Sequence, residues 1–363
     1  MRKRALAWAA AVGLLLIAAA PAAAHDEDHH EHQHNRYAVT NLVTDDQSAN
    51  HALHEDPNLV NGWGIVASPT SPWWVAANHT DSSTLYNGAG DIQPLVVKVA
   101  GGPTGTVFNG TADFVVSSGG ASGAARFLFA TEGGQVLGWN PTVPGSPVPS
   151  TTAFVGATVP DAIYKGLAIA QSGGANYLYA ADFHGGKIDV FNGSFALQHW
   201  AGAFVDPRIP HGFAPFNVQA LNGWIFVTYA KQDADKVDEV AGRHLGYVSA
   251  FTTDGSFVAR VASRGPLNAP WGLAWAPSGF GKFSGDLLVG NFGDGRIHAY
   301  SLKKHGFRFH GTLRDRHHRA IRIDGLWGLG FGNGAGSGPT TTLYFAAGPN
   351  DEEHGLFGSI RAR

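Results

Sequence analysis

The chain has 363 residues, 49 of them glycine, with 44% apolar, 11% aromatic and 15% charged residues and a formal charge of -3. Such a composition excludes a disordered chain or a long helical array, and the lack of a basic stripe argues against nucleic acid as a partner. There is no cysteine, so neither disulfides nor a lipidated cysteine anchor can form.

Met1 to Ala24 reads as a secretion signal. Arg2, Lys3 and Arg4 make a basic start, Ala5 to Ala20 an apolar run, and Ala22 and Ala24 the small-x-small pattern for cleavage after Ala24. The run falls short of the ~20 apolar residues of a membrane span. The mature chain is therefore expected to be periplasmic or secreted, without a span, and its formal charge drops to -6 when the three cations leave.

Residues 25–36 form a biased tail in which His25, His29, His30, His32 and His34 stand among four carboxylates. Such a tract cannot build a core. With the α-amine freed at His25 it is expected to hold Zn, Cu or Ni weakly, whether or not it serves any purpose beyond solubility.

From Trp63 the chain repeats. Gly64 in NGWGIVASP, Gly166 in YKGLAIAQS, Asn217 in PFNVQALN, Gly272 in PWGLAWAP and Gly328 in LWGLGFGN occupy matching places, 102, 51, 55 and 56 residues apart. The first gap is two periods, which puts the missing member near Phe114 in ADFVVSS. Each opening strand leads to a second, such as RFLFATEGG or DLLVGNFGDG, and then to a third, such as QVLGWN or RIHAYSL. A four-stranded unit of fifty-odd residues copied six times predicts an all-β, six-bladed β-propeller over residues 37–363.

The blades are expected at about Trp63–Ala100, Ala112–Ala157, Tyr164–Phe204, Phe216–Ala262, Trp271–Leu313 and Trp327–Arg363. The last has only three strands before the chain ends. Tyr37–Val43, which has no partner nearby, is expected to supply its outer strand and close the ring. A monomer is expected.

A propeller gathers on one face the loops that enter its inner strands and those between second and third strands. That face here collects nine of the thirteen histidines outside the tail, among them His79 and His184. Asn78, Glu132, Asp182 and Asn291 recur at the ends of second strands, near the axis. Hard oxygen ligands at a channel mouth suit Ca, and imidazoles suit Zn. The alternative is that Asn and Asp cap their own turns and the histidines are solvated. The tryptophans of WGIVA, WGLAWA and WGLGF are expected to wedge between sheets.

The rhythm PWGLA, GWGIV, YKGLA and LWGLG resembles NHL-repeat propellers. The opening DPNLVNGWGIVASPTSPWWVAANHTDSSTLYNGAG is similar to that of an uncharacterised family of secreted bacterial proteins with NHL-like repeats. This resemblance implies export and a propeller, and carries over no catalytic residues. Gluconolactonase-like and paraoxonase-like propellers hold axial calcium with Glu, Asn and Asp, and Glu132, Asp182, Asn78 and Asn291 are similar in type. The peptide-amidating lyase, also NHL-like, uses histidine-bound zinc on one face.

No nucleophile elbow, phosphate loop or HExxH is present. The expected function is binding of a small molecule, glycan or protein outside the cytoplasm. The alternative is a metal-dependent hydrolase or lyase using Ca or Zn.

Overall fold

Short runs of alternating or fully apolar residues, broken by glycine-rich turns, make strands that cannot bury both faces alone. The computed structural model describes residues 34–363, so the leader and His25, His29, His30 and His32 of the tail lie outside the described residues. The strands form six sheets of at least four strands each, antiparallel but for one short outer strand, the blades of a six-bladed propeller. The inner strands are Gly62–Val66, Pro103–Phe108, Tyr164–Ser172, Phe213–Leu221, Pro270–Trp275 and Leu326–Phe331. Among the described residues no helix is long and apolar enough to cross a membrane.

Consecutive inner strands touch, and the sixth touches the first. Glycine makes this approach possible. A Cβ on Gly105 would lie 2.2 Å from Leu167 N in the next blade, and one on Gly328 would lie 2.5 Å from Trp63 O. Asn217 replaces the glycine in the fourth blade and donates from Nδ2 to Trp271 O at 2.8 Å, so a hydrogen bond replaces the close approach there.

The last blade is completed as expected. Tyr37–Thr44 pairs antiparallel with Leu356–Ala362, from Tyr37↔Ala362 to Thr44↔Leu356. His54–Glu55 adds a short parallel strand outside it. The Tyr37 ring is 2% exposed, stacks on Phe283 at 6.0 Å and donates its hydroxyl to Phe280 O at 3.0 Å.

The second blade differs from the sequence reading. Its inner strand is Pro103–Phe108, whereas Val115–Ser118 pairs only with Ala121–Ala124 in a separate hairpin. The inner strand is poor in large apolar residues because threonine hydroxyls hold it: Thr104 donates to Tyr164 O at 2.6 Å and Thr106 to Leu128 O at 3.2 Å.

Six apolar clusters fill the gaps between neighbouring blades. A seventh lies on the axis, where Trp63, Trp271, Trp327, Phe183 and Phe216 meet. The tryptophans therefore stack on one another across the ring: Trp63 lies on Trp327 at 3.6 Å and edge-on to Trp271 at 6.1 Å. Inner-strand residues such as Thr106, Ile169 and Gln219 line a separate channel cavity of about 210 Å³.

Candidate functional site

In the third blade Lys165 takes the place that Trp63, Trp271 and Trp327 hold in theirs. Its strand, Tyr164–Ser172, carries it to the axis, where its side chain is only 1% exposed. The ammonium lies 2.6 Å from Glu132 Oε1 and 3.0 Å from Asp238 Oδ1, with the Trp63 ring 5.2 Å away. The Lys165 carbonyl accepts from Trp271 Nε1 at 2.9 Å, which fixes the lysine backbone to the aromatic layer. A charge taken out of water needs such partners, because uncompensated it costs several kcal/mol.

Glu132 is held from its other side. Its Oε2 accepts from Asn78 Nδ2 at 2.9 Å. Asn61, just before the first inner strand, accepts from Trp327 Nε1 at 3.1 Å and lies 3.3 Å from His79 Nε2. Glu239 and Glu352, on second-to-third-strand loops of the fourth and sixth blades, add two further carboxyl groups near the same ammonium. Trp63 Nε1 is buried without a partner among the described residues.

The mouth tunes its acids in opposite directions. Burial raises Glu132, but the Lys165 charge and the hydrogen bonds from Lys165 and Asn78 outweigh it and hold the carboxyl below its ordinary value. Burial lowers Lys165, and Glu132 and Asp238 more than reverse that. Burial pushes Glu239 up to about 8 despite Lys165. Glu352 rises to about 7 for the same reason, with Glu132 and Asp238 adding repulsion. At neutral pH an ionised acceptor, Glu132, thus sits beside carboxyls able to donate.

A pH dependence follows. Glu239 and Glu352 keep protons in the folded chain up to about 8 and about 7, whereas the unfolded chain releases them near 4.5. The folded state binds more protons in that window, so its stability falls as pH rises from about 4.5 to about 8. Urea midpoints at pH 5.5 and 8.5, within about a unit of those limits, are expected to show the fall, and Glu239→Gln to flatten it. A slope that is unchanged in Glu239→Gln and Glu352→Gln would refute the assignment.

The structure brings together some of the residues predicted from sequence. Asn78, Glu132 and His79 meet at the mouth. Asp182 instead serves its own blade, accepting from Gly185 N at 2.9 Å and pairing with Lys187 at 3.2 Å. Asn291 donates to Pro266 O at 2.9 Å and lies 3.2 Å from His298 Nε2. The His184 carbonyl receives Gln232, its Nδ1 is buried without a partner, and His34 is exposed at the edge of the last blade. No group of three or more His, Asp or Glu placed to hold a metal occurs among the described residues. From the sequence Lys165 stands out only as the residue in the tryptophan place of the third blade, and Asp238, Glu239 and Glu352 do not stand out. The available signal was a lysine in a tryptophan position and the acidic loops KVDEV and NDEEH.

No family model matches the chain. It is 33% identical over 327 residues to uncharacterized protein R648 of Acanthamoeba polyphaga mimivirus, spanning 86% of this chain and 77% of the relative. It is 34% identical over 329 residues to uncharacterized protein L690 of the same virus, spanning 85% and 82%. Among solved structures, a glucose dehydrogenase superposes with a TM-score of 0.55 at 14% identity, covering 90% of this chain and 100% of that one. That likeness is one of fold.

Proposed function

The chain belongs to the family of the mimivirus proteins R648 and L690, and from that premise we propose that it is an exported propeller that binds a polar, amine-bearing ligand at the axial mouth around Lys165. The observation that carries this reading is the excess of acid there: Glu132 and Asp238 contact one ammonium at 2.6 and 3.0 Å, and the carboxyls of Glu239 and Glu352 are near enough to feel its charge. The mouth already holds a cationic nitrogen between carboxylates and the Trp63 face, and Asp238, 66% exposed, leaves carboxylate oxygen open to a second. Export rests on the leader pattern of Met1–Ala24 and on the resemblance of the opening residues to secreted bacterial proteins.

Thermal shifts with spermidine and glucosamine, against glucose as the neutral control, test it. The amines are expected to raise the melting temperature of the natural chain and not that of Asp238→Asn/Glu352→Gln. Equal shifts in both, or none with either amine, would count against the mouth.

A second reading, a hydrolase or lyase, draws on Glu239 and Glu352 poised near neutrality beside an ionised acceptor. In its metal-dependent form Ca or Zn would have to displace the Lys165 ammonium from Glu132. Metal content of dialysed protein lacking residues 25–33 separates the readings. One ion per chain, lost in Glu132→Ala, favours the enzyme.

A further inference from the structure

A second charged surface lies away from the axis, where the start of the first strand and the end of the last strand meet the fifth blade. A groove of about 1200 Å³ runs between the start of the first strand, the loop that follows Leu313 and the last residue. Backbone hydrogen bonds hold these segments in place: Tyr37 N donates to Arg314 O at 2.8 Å and Arg363 N to Arg36 O at 2.9 Å. The lining carries Arg36, Arg316, Arg319, Arg322 and Arg363, with His34 and His317, against one side-chain carboxylate, Asp315, and the α-carboxylate of Arg363.

The side-chain carboxylate is already engaged. Asp315 accepts from His317 N at 2.8 Å and Arg319 N at 2.9 Å, and pairs with the Arg319 guanidinium at 3.0 Å. Among the described residues Arg36, Arg316, Arg322 and Arg363 have no ion-pair partner, and Arg36 Nε is buried without a hydrogen bond. Like charges gathered in one groove repel one another, which a purely structural groove does not need.

We infer that this groove binds an acidic polysaccharide, a chain carrying repeated carboxylate or sulfate groups. The guanidiniums come from three separate segments of the chain that together line one groove of about 1200 Å³, which suits anions repeated along a polymer. Its volume exceeds the ~300–1000 Å³ of ordinary small-molecule pockets. Planar guanidinium forks match carboxylate and sulfate geometry in a way that lysines would not. Single-stranded nucleic acid is disfavoured because it needs exposed aromatic platforms, and the only aromatic ring in the lining besides the histidines, Tyr37, is 2% exposed.

Retention on immobilised heparin, and titration with heparin and polygalacturonate in solution, test this on the full chain. Binding is expected to weaken steeply with salt. Arg316→Glu/Arg322→Glu is expected to weaken it by about tenfold or more at an unchanged melting temperature. Arg316→Lys/Arg322→Lys is expected to fall between, because charge remains while the fork is lost. Lys303→Glu/Lys304→Glu, at exposed residues outside both sites, is expected to leave it unchanged, which separates the groove from the overall charge of the chain. Glycan binding that is absent, or indifferent to the charge reversals, overturns the inference. So does tighter binding of a thymidine oligonucleotide or of phosphatidylglycerol vesicles than of either glycan.

Discussion

Lys165→Met is expected to cost about 3–5 kcal/mol of folding stability at pH 7.5, the range for removing one partner of a buried charge cluster. The ammonium is 1% exposed and compensates Glu132 and Asp238 directly. Without it Glu132, held ionised chiefly by that charge, faces Asp238, Glu239 and Glu352 with no cation among them. The sign of the pH response is fixed by the pair. Glu132 has a depressed folded pKa, so the stability it contributes with Lys165 is present above its ordinary range and disappears on acidification. The gap between natural chain and variant should therefore narrow as pH falls from about 7.5 towards about 4. Calcium is expected to restore part of the loss in the variant and to leave the natural chain unchanged, because the vacated position is ringed by hard oxygens. Urea denaturation at both pH values, with and without calcium, measures all three effects. A loss below about 1 kcal/mol would place the ammonium in the class of solvated surface pairs and remove the basis of the mouth. The double variant Lys165→Met/Glu132→Gln is expected to be more stable than the sum of the single losses, because the pair is lost together.

The fold was legible because a propeller writes its period into the chain. Glycine recurs wherever a neighbouring inner strand lies too close for a Cβ, as at Gly64 and Gly328, and the strand that lacked a partner could only belong to the blade that lacked a strand. The second blade was misplaced because its inner strand, PTGTVF, meets its neighbours through threonine hydroxyls, and apolar patterning does not register those.

The site was legible only where it follows the repeat. Asn78 and Glu132 end second strands, and that equivalence brought them out. Asp182 and Asn291 share the position and still turn to partners in their own blades, since equivalent backbone places do not impose equivalent side-chain bonding. Lys165 was visible as the odd member of the tryptophan series. Its partner Asp238 lies 73 residues away in a loop whose length is peculiar to one blade, beyond the reach of spacing. The arginine groove is the extreme case: Arg36 and Arg363 sit near opposite ends of the chain and become neighbours only when the first strand closes the last blade.

That closure sets the other large expected effect. Tyr37→Ala is expected to cost about 3–5 kcal/mol, as for a buried aromatic truncated to a methyl group. It removes a ring packed on Phe280 at 5.0 Å and Phe283 at 6.0 Å, together with the hydroxyl that reaches Phe280 O. Tyr37→Phe keeps the packing and isolates the hydrogen bond, at about 1 kcal/mol. Deleting Tyr37–Thr44 goes further, because the paired edge of Leu356–Ala362 is then bare, apolar and seven residues long. An edge of that kind recruits strands from other chains. The deleted chain is expected to be insoluble or oligomeric, and a peptide of residues 34–46 supplied during refolding is expected to restore a soluble monomer. Light scattering and the sharpness of the thermal transition report the outcome. A deleted chain that stays monomeric and melts within a few degrees of the natural one would mean that the ring holds without its clasp. The cyclic contacts of the inner strands alone would then carry the stability assigned here to the first strand.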